Sequence, residues 1–156
     1  MMMPRYFIPV NEADGRQPPE GKHQMPFINI KIAGPDLTLE QTARLHHGVI
    51  DLMARVLRKK SELTSVLVEQ APASGWNIGK QALTVAAHLD AKVAAGTNTW
   101  EEKARFIAEA NGLLKDVLGS ALPVASYVVI DEIPEDSWGY DGLTQAHRAS
   151  TKQPER

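Results

Sequence analysis

The sequence contains no cysteine. Disulfide bonds and cysteine-ligated zinc are thereby excluded, while the redox compartment stays open. No apolar run approaches the roughly 20 residues a helix needs to cross a bilayer, so no membrane partner is expected. The opening Met1–Val10 stretch gives way to Asn11-Glu12-Ala13-Asp14 too soon for a secretory signal. The expected location is the cytoplasm. A surplus of charge is also missing. Lys and Arg number 17 against 19 Asp and Glu, a net charge of −2, and no basic stripe is present to neutralise phosphates. That argues against nucleic acid as a partner. Gly75 and Gly79 are too few and wrongly spaced for a phosphate loop. His46 and His47 are adjacent on a helix and point in different directions, so no metal site is expected. What is present is 156 residues, 43% hydrophobic and 23% charged, enough for one domain with an ordinary core.

The chain repeats itself. Sliding the sequence so that Lys31 falls on Lys92 also sets Thr38 on Thr99, Glu40 on Glu101, and Ala43-Arg44 on Ala104-Arg105. The same shift sets Leu52 on Leu113, Val56-Leu57 on Val117-Leu118, Ser65 on Ser126 and Val68 on Val129. One extra residue then brings Pro72 and Trp76 onto Pro134 and Trp138. A period of this length marks a supersecondary unit used twice.

Each copy reads as strand, helix, strand. In Phe27–Ile32, Ile28, Ile30 and Ile32 share one face while Asn29 and Lys31 share the other, the pattern of a half-covered strand. Gly34-Pro35-Asp36 ends it. Thr38 and Gln41 form a capping box at the start of a helix. Its apolar stripe is Leu45, Val49, Leu52 and Val56, widened by Ile50, Met53 and Leu57. Ser65–Glu69 closes the unit. The second copy runs from a strand over Leu83–Val93, with His88, Asp90 and Lys92 on one face, to a turn at Gly96-Thr97-Asn98. A helix capped by Thr99 and Glu102 follows, with Phe106, Leu113, Val117 and Leu118 as its stripe and Gly119 as a left-handed stop. Gly112 weakens the last turns of that helix. Ser126–Ile130 is the last strand.

Strands joined through a helix run parallel with a right-handed crossover. The expected fold is α/β (α+β): a duplicated β-α-β chain, with a four-stranded sheet and two helices on one face. The other face carries Asn29, Lys31, His88, Asp90 and Lys92, with Tyr127 left open to either side, and calls for an oligomer or a ligand there. Residues 25–148 form the domain, as units of about 26–80 and 81–148. Residues 1–24 lie outside the repeat. Their Gln17–Gln24 segment is linker-like, so they are read as an extension that is flexible or absent from the functional protein. Residues 149–156 are read as a flexible polar tail.

Met25-Pro26-Phe27-Ile28-Asn29-Ile30-Lys31-Ile32 resembles the start of a tautomerase-superfamily protein. In such proteins Met-Pro opens an alternating strand, followed by a helix, a second strand and an aromatic-glycine segment, here Trp76-Asn77-Ile78-Gly79. The runs Asp90–Lys103 and Trp138–Gln145 are similar to a fused, 4-oxalocrotonate tautomerase-like subgroup. The resemblance covers about Met25 to Arg148. It implies a homotrimer with strands forming an inner barrel and helices outside, no cofactor, and a site beside the proline at a subunit boundary. It further implies a tautomerase of small keto or enol acids in which the proline nitrogen is the catalytic base.

An α-amino group titrates near 7.7–8.0 in peptides, and an apolar pocket or nearby cations push it lower. Such an amine can take a proton from carbon next to a carbonyl and return it elsewhere. Cationic or hydrogen-bonding groups stabilise the enolate. Pro26 is the candidate base, and because its repeat partner is Ala87, one site per chain is expected. As written, its nitrogen is an amide. The expected route to a free amine is that Met25 is the physiological start and that its removal exposes Pro26.

The namesake enzyme's two arginines fall near Asp36 and at Leu67, neither cationic. Fused dehalogenase and decarboxylase members draw cations from the first strand of the second half, which here offers His88, Asp90 and Lys92. His88 and Lys92 are therefore candidate substrate-binding residues, with a barrel-lining structural role as the alternative for each. Trp76 and Trp138 are candidates to flank the site or to pack at a subunit seam. Tyr140 is a candidate hydrogen-bond donor to an enolate, and Arg148 a residue that closes a neighbour's site or is merely solvated. Two other outcomes remain open: hydration of an unsaturated halo-acid with Asp90 or His88 activating water, and a non-catalytic trimeric binding protein with Pro26 blocked.

Overall fold

A computed structural model describes residues 25–151; the expectations for 1–24 and 152–156 lie outside the described residues. Strand β1 (Phe27–Ala33) leads through helix α1 (Leu39–Arg55) to β2 (Ser65–Ala71), and a small hairpin of β3 (Asn77–Ile78) and β4 (Gln81–Ala82) follows. The second unit repeats this order with β5 (Ala86–Ala94), α2 (Trp100–Leu118), β6 (Tyr127–Ile133) and a hairpin of β7 (Gly139–Tyr140) and β8 (Leu143–Thr144). A short helix, α3 (Gln145–Ser150), ends the described chain and takes in Ala149 and Ser150.

The main sheet has the order β2-β1-β5-β6, with β1 parallel to β2, β5 parallel to β6, and β1 antiparallel to β5. Asn29 pairs with Asp90. Asp90 is also the residue onto which the internal repeat carries Asn29, so the pseudo-two-fold axis relating the halves passes through this pair. Both helices cover one face. Ile28, Ile30 and Ile32 of β1 and Ala87, Leu89, Ala91 and Val93 of β5 are buried in one core with Leu45, Val49, Leu52 and Met53 of α1 and Phe106, Ala110, Leu114 and Val117 of α2. The opposite face is laid out in lateral rows. Glu69, Lys31, His88 and Tyr127 form one, Leu67, Asn29, Asp90 and Val129 the next, and Ser65, Phe27, Lys92 and Asp131 the third. Tyr127, which the sequence left open, stands on this uncovered face.

Both capping boxes form: Thr38 and Gln41 cap α1, and Thr99 and Glu102 cap α2. Some details depart from the sequence reading, and β2 and β6 run past the expected Glu69 and Ile130 to Ala71 and Ile133. β5 starts at Ala86 rather than Leu83, because its partner β1 ends at Ala33, where Gly34 turns the backbone with a φ of 142°. Residues 83–85 therefore have no ladder to join, although their apolar character continues the strand pattern. Gly112 does not interrupt α2, which runs on to Leu118. Gly119 does end α2 at positive φ, 92°, but its ψ of 178° is the mirror-extended region rather than the left-handed helical one. At the equivalent place after α1 stands Arg58, with a φ of 58°. A non-glycine residue there costs about 1–2 kcal/mol. The side chain offsets this: its Nε donates to Glu102 Oε1 at 2.9 Å and its Nη2 to the Thr97 carbonyl at 3.0 Å.

Lys59 follows and is 7% exposed. Its ammonium donates to Thr97 Oγ1 at 2.8 Å, and that hydroxyl donates in turn to the Ala94 carbonyl at 2.7 Å. Burial, with the Arg58 charge adding to it and Glu102 and Glu132 opposing, brings the Lys59 pKa down from 10.5 to about 8. A folded-state pKa below the unfolded value means that the unfolded chain binds more protons between the two. The cost of burying the ammonium is present in full below about pH 8 and disappears as pH rises to 10.5. Replacing Lys59 by Met removes this titration. Chemical denaturation from pH 7 to 10.5 is expected to show parent stability gaining on that of Lys59→Met as pH rises, and parallel curves would refute the assignment.

Candidate active site

The register fixes what surrounds Pro26. Its carbonyl accepts from the Ser65 backbone N–H at 3.0 Å, at the start of β2. Phe27 pairs with Lys92, so Pro26 sits one step outward, beside Val93 at the end of β5. By strand alternation its ring lies on the side of Ile28, toward the helices, and it is fully buried, while Met25 before it is 38% exposed. This end of the sheet gathers the start of β1, the start of β2 and the ends of β5 and β6.

The loop after β5 and the loop after α1 meet at the same end. Besides the Lys59–Thr97–Ala94 chain, Asn98 Nδ2 donates to the Leu57 carbonyl at 2.9 Å and to Glu102 Oε2 at 2.9 Å. Burial raises the Glu102 pKa, but hydrogen bonds from Arg58, Asn98 and the Thr99 backbone outweigh it and hold the carboxyl below its ordinary value. Glu102 is thus an anion that fixes Arg58 and Asn98 in place. Lys59, Thr97 and Asn98 are buried polar groups, a class that needs partners to be tolerated. None of them was singled out from the sequence as a site residue, because Arg58-Lys59-Lys60 looks like a solvated charge run. One signal was available: the repeat sets Arg58 on Gly119 and Lys59 on Ser120. A charged pair standing where the other copy has small residues marks a place where the halves have diverged.

The candidates named from the sequence divide between the two ends. Lys92 lies at the Pro26 end but on the uncovered face, with its ammonium 2.9 Å from Asp131 Oδ2. Trp138 and Tyr140 belong to the segment that follows β6 and therefore stand at the Pro26 end as well, with Arg148 on α3. The Arg148 guanidinium stacks 4.0 Å over the Tyr140 ring and donates to the Tyr140 carbonyl at 2.9 Å. Gln145 is buried beside this stack, and its backbone N–H donates to the Trp138 carbonyl at 2.8 Å. His88 pairs with Lys31, five strand positions from Pro26, or roughly 17 Å. Trp76 follows β2 and so also lies at that far end. Within one chain, then, Lys92, Trp138, Tyr140 and Arg148 belong to the same end of the sheet as Pro26, and His88 and Trp76 to the other.

A sequence profile described as "Tautomerase enzyme" matches this chain twice, over residues 26–86 and 88–148. A probable tautomerase K2 from Dickeya dadantii (strain 3937) is 35% identical over 60 residues, which cover 38% of this chain and 90% of that protein. That protein is about the length of a single unit. Among solved structures, native Fused 4-OT superposes with a TM-score of 0.68 at 20% identity, covering 79% of this chain and 98% of that one. An asymmetric trimer of F6 fused 4-OT gives a TM-score of 0.65 at 22% identity, covering 80% and 99%. At these identities the structural likeness is one of fold. The paired profile matches span most of the sequence and begin at Pro26, and on them this chain belongs to the tautomerase family, in its fused, two-unit form.

Proposed function

We propose that the protein is a cofactor-independent tautomerase of small keto and enol acids, assembled as a trimer, with Pro26 as general base once the chain ahead of it is removed. The observation that carries this reading is that the family match starts at Pro26, and that Pro26 is buried at the sheet end where the loops after α1 and β5 meet. Cleavage after the exposed Met25 turns an amide nitrogen into a secondary amine. Burial of the ring and the Lys59 charge at the same sheet end both disfavour the protonated amine. The amine takes the proton from carbon next to the substrate carbonyl. Lys59, held by Thr97, stabilises the enolate charge before the proton is returned. Lys92, Trp138, Tyr140 and Arg148 act as substrate-facing groups at this end. His88 and Trp76 reach a Pro26 site only across a subunit boundary.

A trimer in which the sheets face inward agrees with the uncovered face of mixed polar and apolar rows, and fused 4-OT relatives of known structure are trimers. A blocked Pro26 would leave a trimeric binding protein, a reading favoured by the amide bond that the written sequence places ahead of the ring.

A chain beginning at Pro26 is expected to ketonise phenylenolpyruvate or 2-hydroxymuconate, and Pro26→Ala in that chain to lose activity by about 100-fold or more. Unchanged activity in Pro26→Ala would exclude proline catalysis, and an intact native mass that includes Met1–Gln24 would defeat the processing step. Sedimentation is expected to give three chains per particle; a stable monomer would overturn a site shared between subunits.

A further inference from the structure

We infer that the row Lys31–His88–Tyr127, with Asp90 beside the imidazole, forms a second proton-transfer site for small 2-keto acids that works without Pro26. The three side chains belong to adjacent strands and share the uncovered face: Lys31 pairs with His88, and His88 with Tyr127. Lateral neighbours of this kind stand about 5 Å apart, so the ammonium and the phenol flank the imidazole with about 10 Å between their strands, enough for a three- or four-carbon acid. His88 Nε2 lies 3.0 Å from Asp90 Oδ2, and the Tyr127 ring meets the imidazole edge-on with centroids 6.1 Å apart. A carboxylate at Nε2 favours the tautomer protonated there and leaves the Nδ1 lone pair to act as base. Lys31 is exposed, and among the described residues its ammonium has no ion-pair partner, whereas Lys92, its mate across the pseudo-two-fold, is held by Asp131. Tyr127 is the first residue of β6 and 62% exposed. The row lies two residues in from the ends of β1 and β5 and at the first residue of β6, so a ligand reaches it from the β6 side of the sheet rim. Glu69, paired with Lys31 across β1 and β2, accepts from the neutral Asn29 Nδ2 at 3.1 Å and keeps its charge, with which an entering carboxylate has to compete for Lys31.

The chemistry needs no co-reactant. Lys31 holds the carboxylate. Nδ1 of His88 takes a proton from the carbon next to the carbonyl; the C–H electron pair becomes the enolate double bond, and the carbonyl π pair moves onto oxygen, which accepts from the Tyr127 hydroxyl. Asp90 stabilises the imidazolium, which exchanges its proton with solvent and returns one to carbon. In deuterium oxide the net change is hydrogen replaced by deuterium.

The test uses the full chain, its mass checked so that Pro26 is still an amide, and follows loss of the C3 proton signal of pyruvate in deuterium oxide by NMR. The full chain is expected to accelerate exchange. His88→Gln should lower the rate at least tenfold, Asp90→Asn and Tyr127→Phe should lower kcat with KM little changed, and Lys31→Met should raise KM. Exchange no faster than in buffer, or a His88→Gln or Tyr127→Phe chain that exchanges as fast as the parent, overturns the inference. The proline reading is judged separately: ketonisation by the chain that begins at Pro26 depends on the free amine, and exchange by the full chain depends on His88.

Discussion

The antiparallel pairing of β1 with β5 is the constraint on which the rest of this molecule rests. Among the described residues it is the one ladder that joins the two β-α-β units within the sheet, and the pseudo-two-fold crosses it at Asn29 and Asp90. Side chains alternate across a strand, so this single register decides which residues meet the helices and which meet the opposite face. A slip of one position would send Ile28, Ile30 and Ile32 outward and bring Asn29 and Lys31 into the core. Three large apolar side chains would be lost from a core in which each contributes about 1.5–3 kcal/mol, and buried polar groups would be left without partners. The repeat exists because one solution to this pairing, used twice and turned through a half-rotation, buries both helices on the same side.

A half-rotation also sets the two sheet ends in equivalent places, which lets them diverge without disturbing the centre. One end has Pro26, Arg58, Lys59, Thr97, Asn98 and Glu102, where the other has Ala87, Gly119, Ser120, Asp36, Leu37 and Gln41. The capping boxes show the same divergence in miniature. Gln41 and Glu102 both return a hydrogen bond to the cap residue's backbone, but Glu102 is an anion and can also hold Arg58 and Asn98. The left-handed backbone at Arg58 persists because charge-assisted hydrogen bonds, worth about 1.5–3 kcal/mol, exceed its conformational cost. Around Ala87 the counterpart position is glycine, and no such compensation is needed. Polarity has been built up at the end that carries the proline and left out of the end that lacks it.

The elements were legible in the sequence wherever one local rule governs them. The isoleucine alternation, the two capping boxes, the stripe of α1 and the repeat all follow from spacing alone, and the family profile and the structure agree with them, whereas in α2 the fully buried positions include Ala110 and Leu114 in place of the expected Leu113 and Leu118. What the sequence could not show was which end of a strand a side chain occupies relative to another strand. His88 and Pro26 read as candidates for one site because they lie in matching strands of the two copies, but antiparallel pairing separates them by the length of β1. Lys59 was missed for a related reason: its burial depends on the loop carrying Thr97, which arrives from the other unit. The strand boundary at Ala86 rather than Leu83 has the same origin, since a strand lasts only as long as its neighbour does.

The charges on the uncovered face constrain how that face can be covered. Asn29 is matched to Glu69, His88 to Asp90, and Lys92 to Asp131. Paired groups of this kind are costly to bury, but less so than the same charges alone, because each carries its partner with it. Leu67 and Val129, exposed in the same middle row, then supply apolar area that gains from burial. Lys31 stands outside these pairs, and Glu69 is matched to a neutral amide. An ammonium without an ion-pair partner among the described residues resists desolvation strongly, so an assembly that covers the middle of the sheet has to leave the Lys31–His88–Tyr127 end open to water or meet it with an anion. The same unmet charge that limits how far subunits can close over the face is the feature that makes its rim a place for a carboxylate.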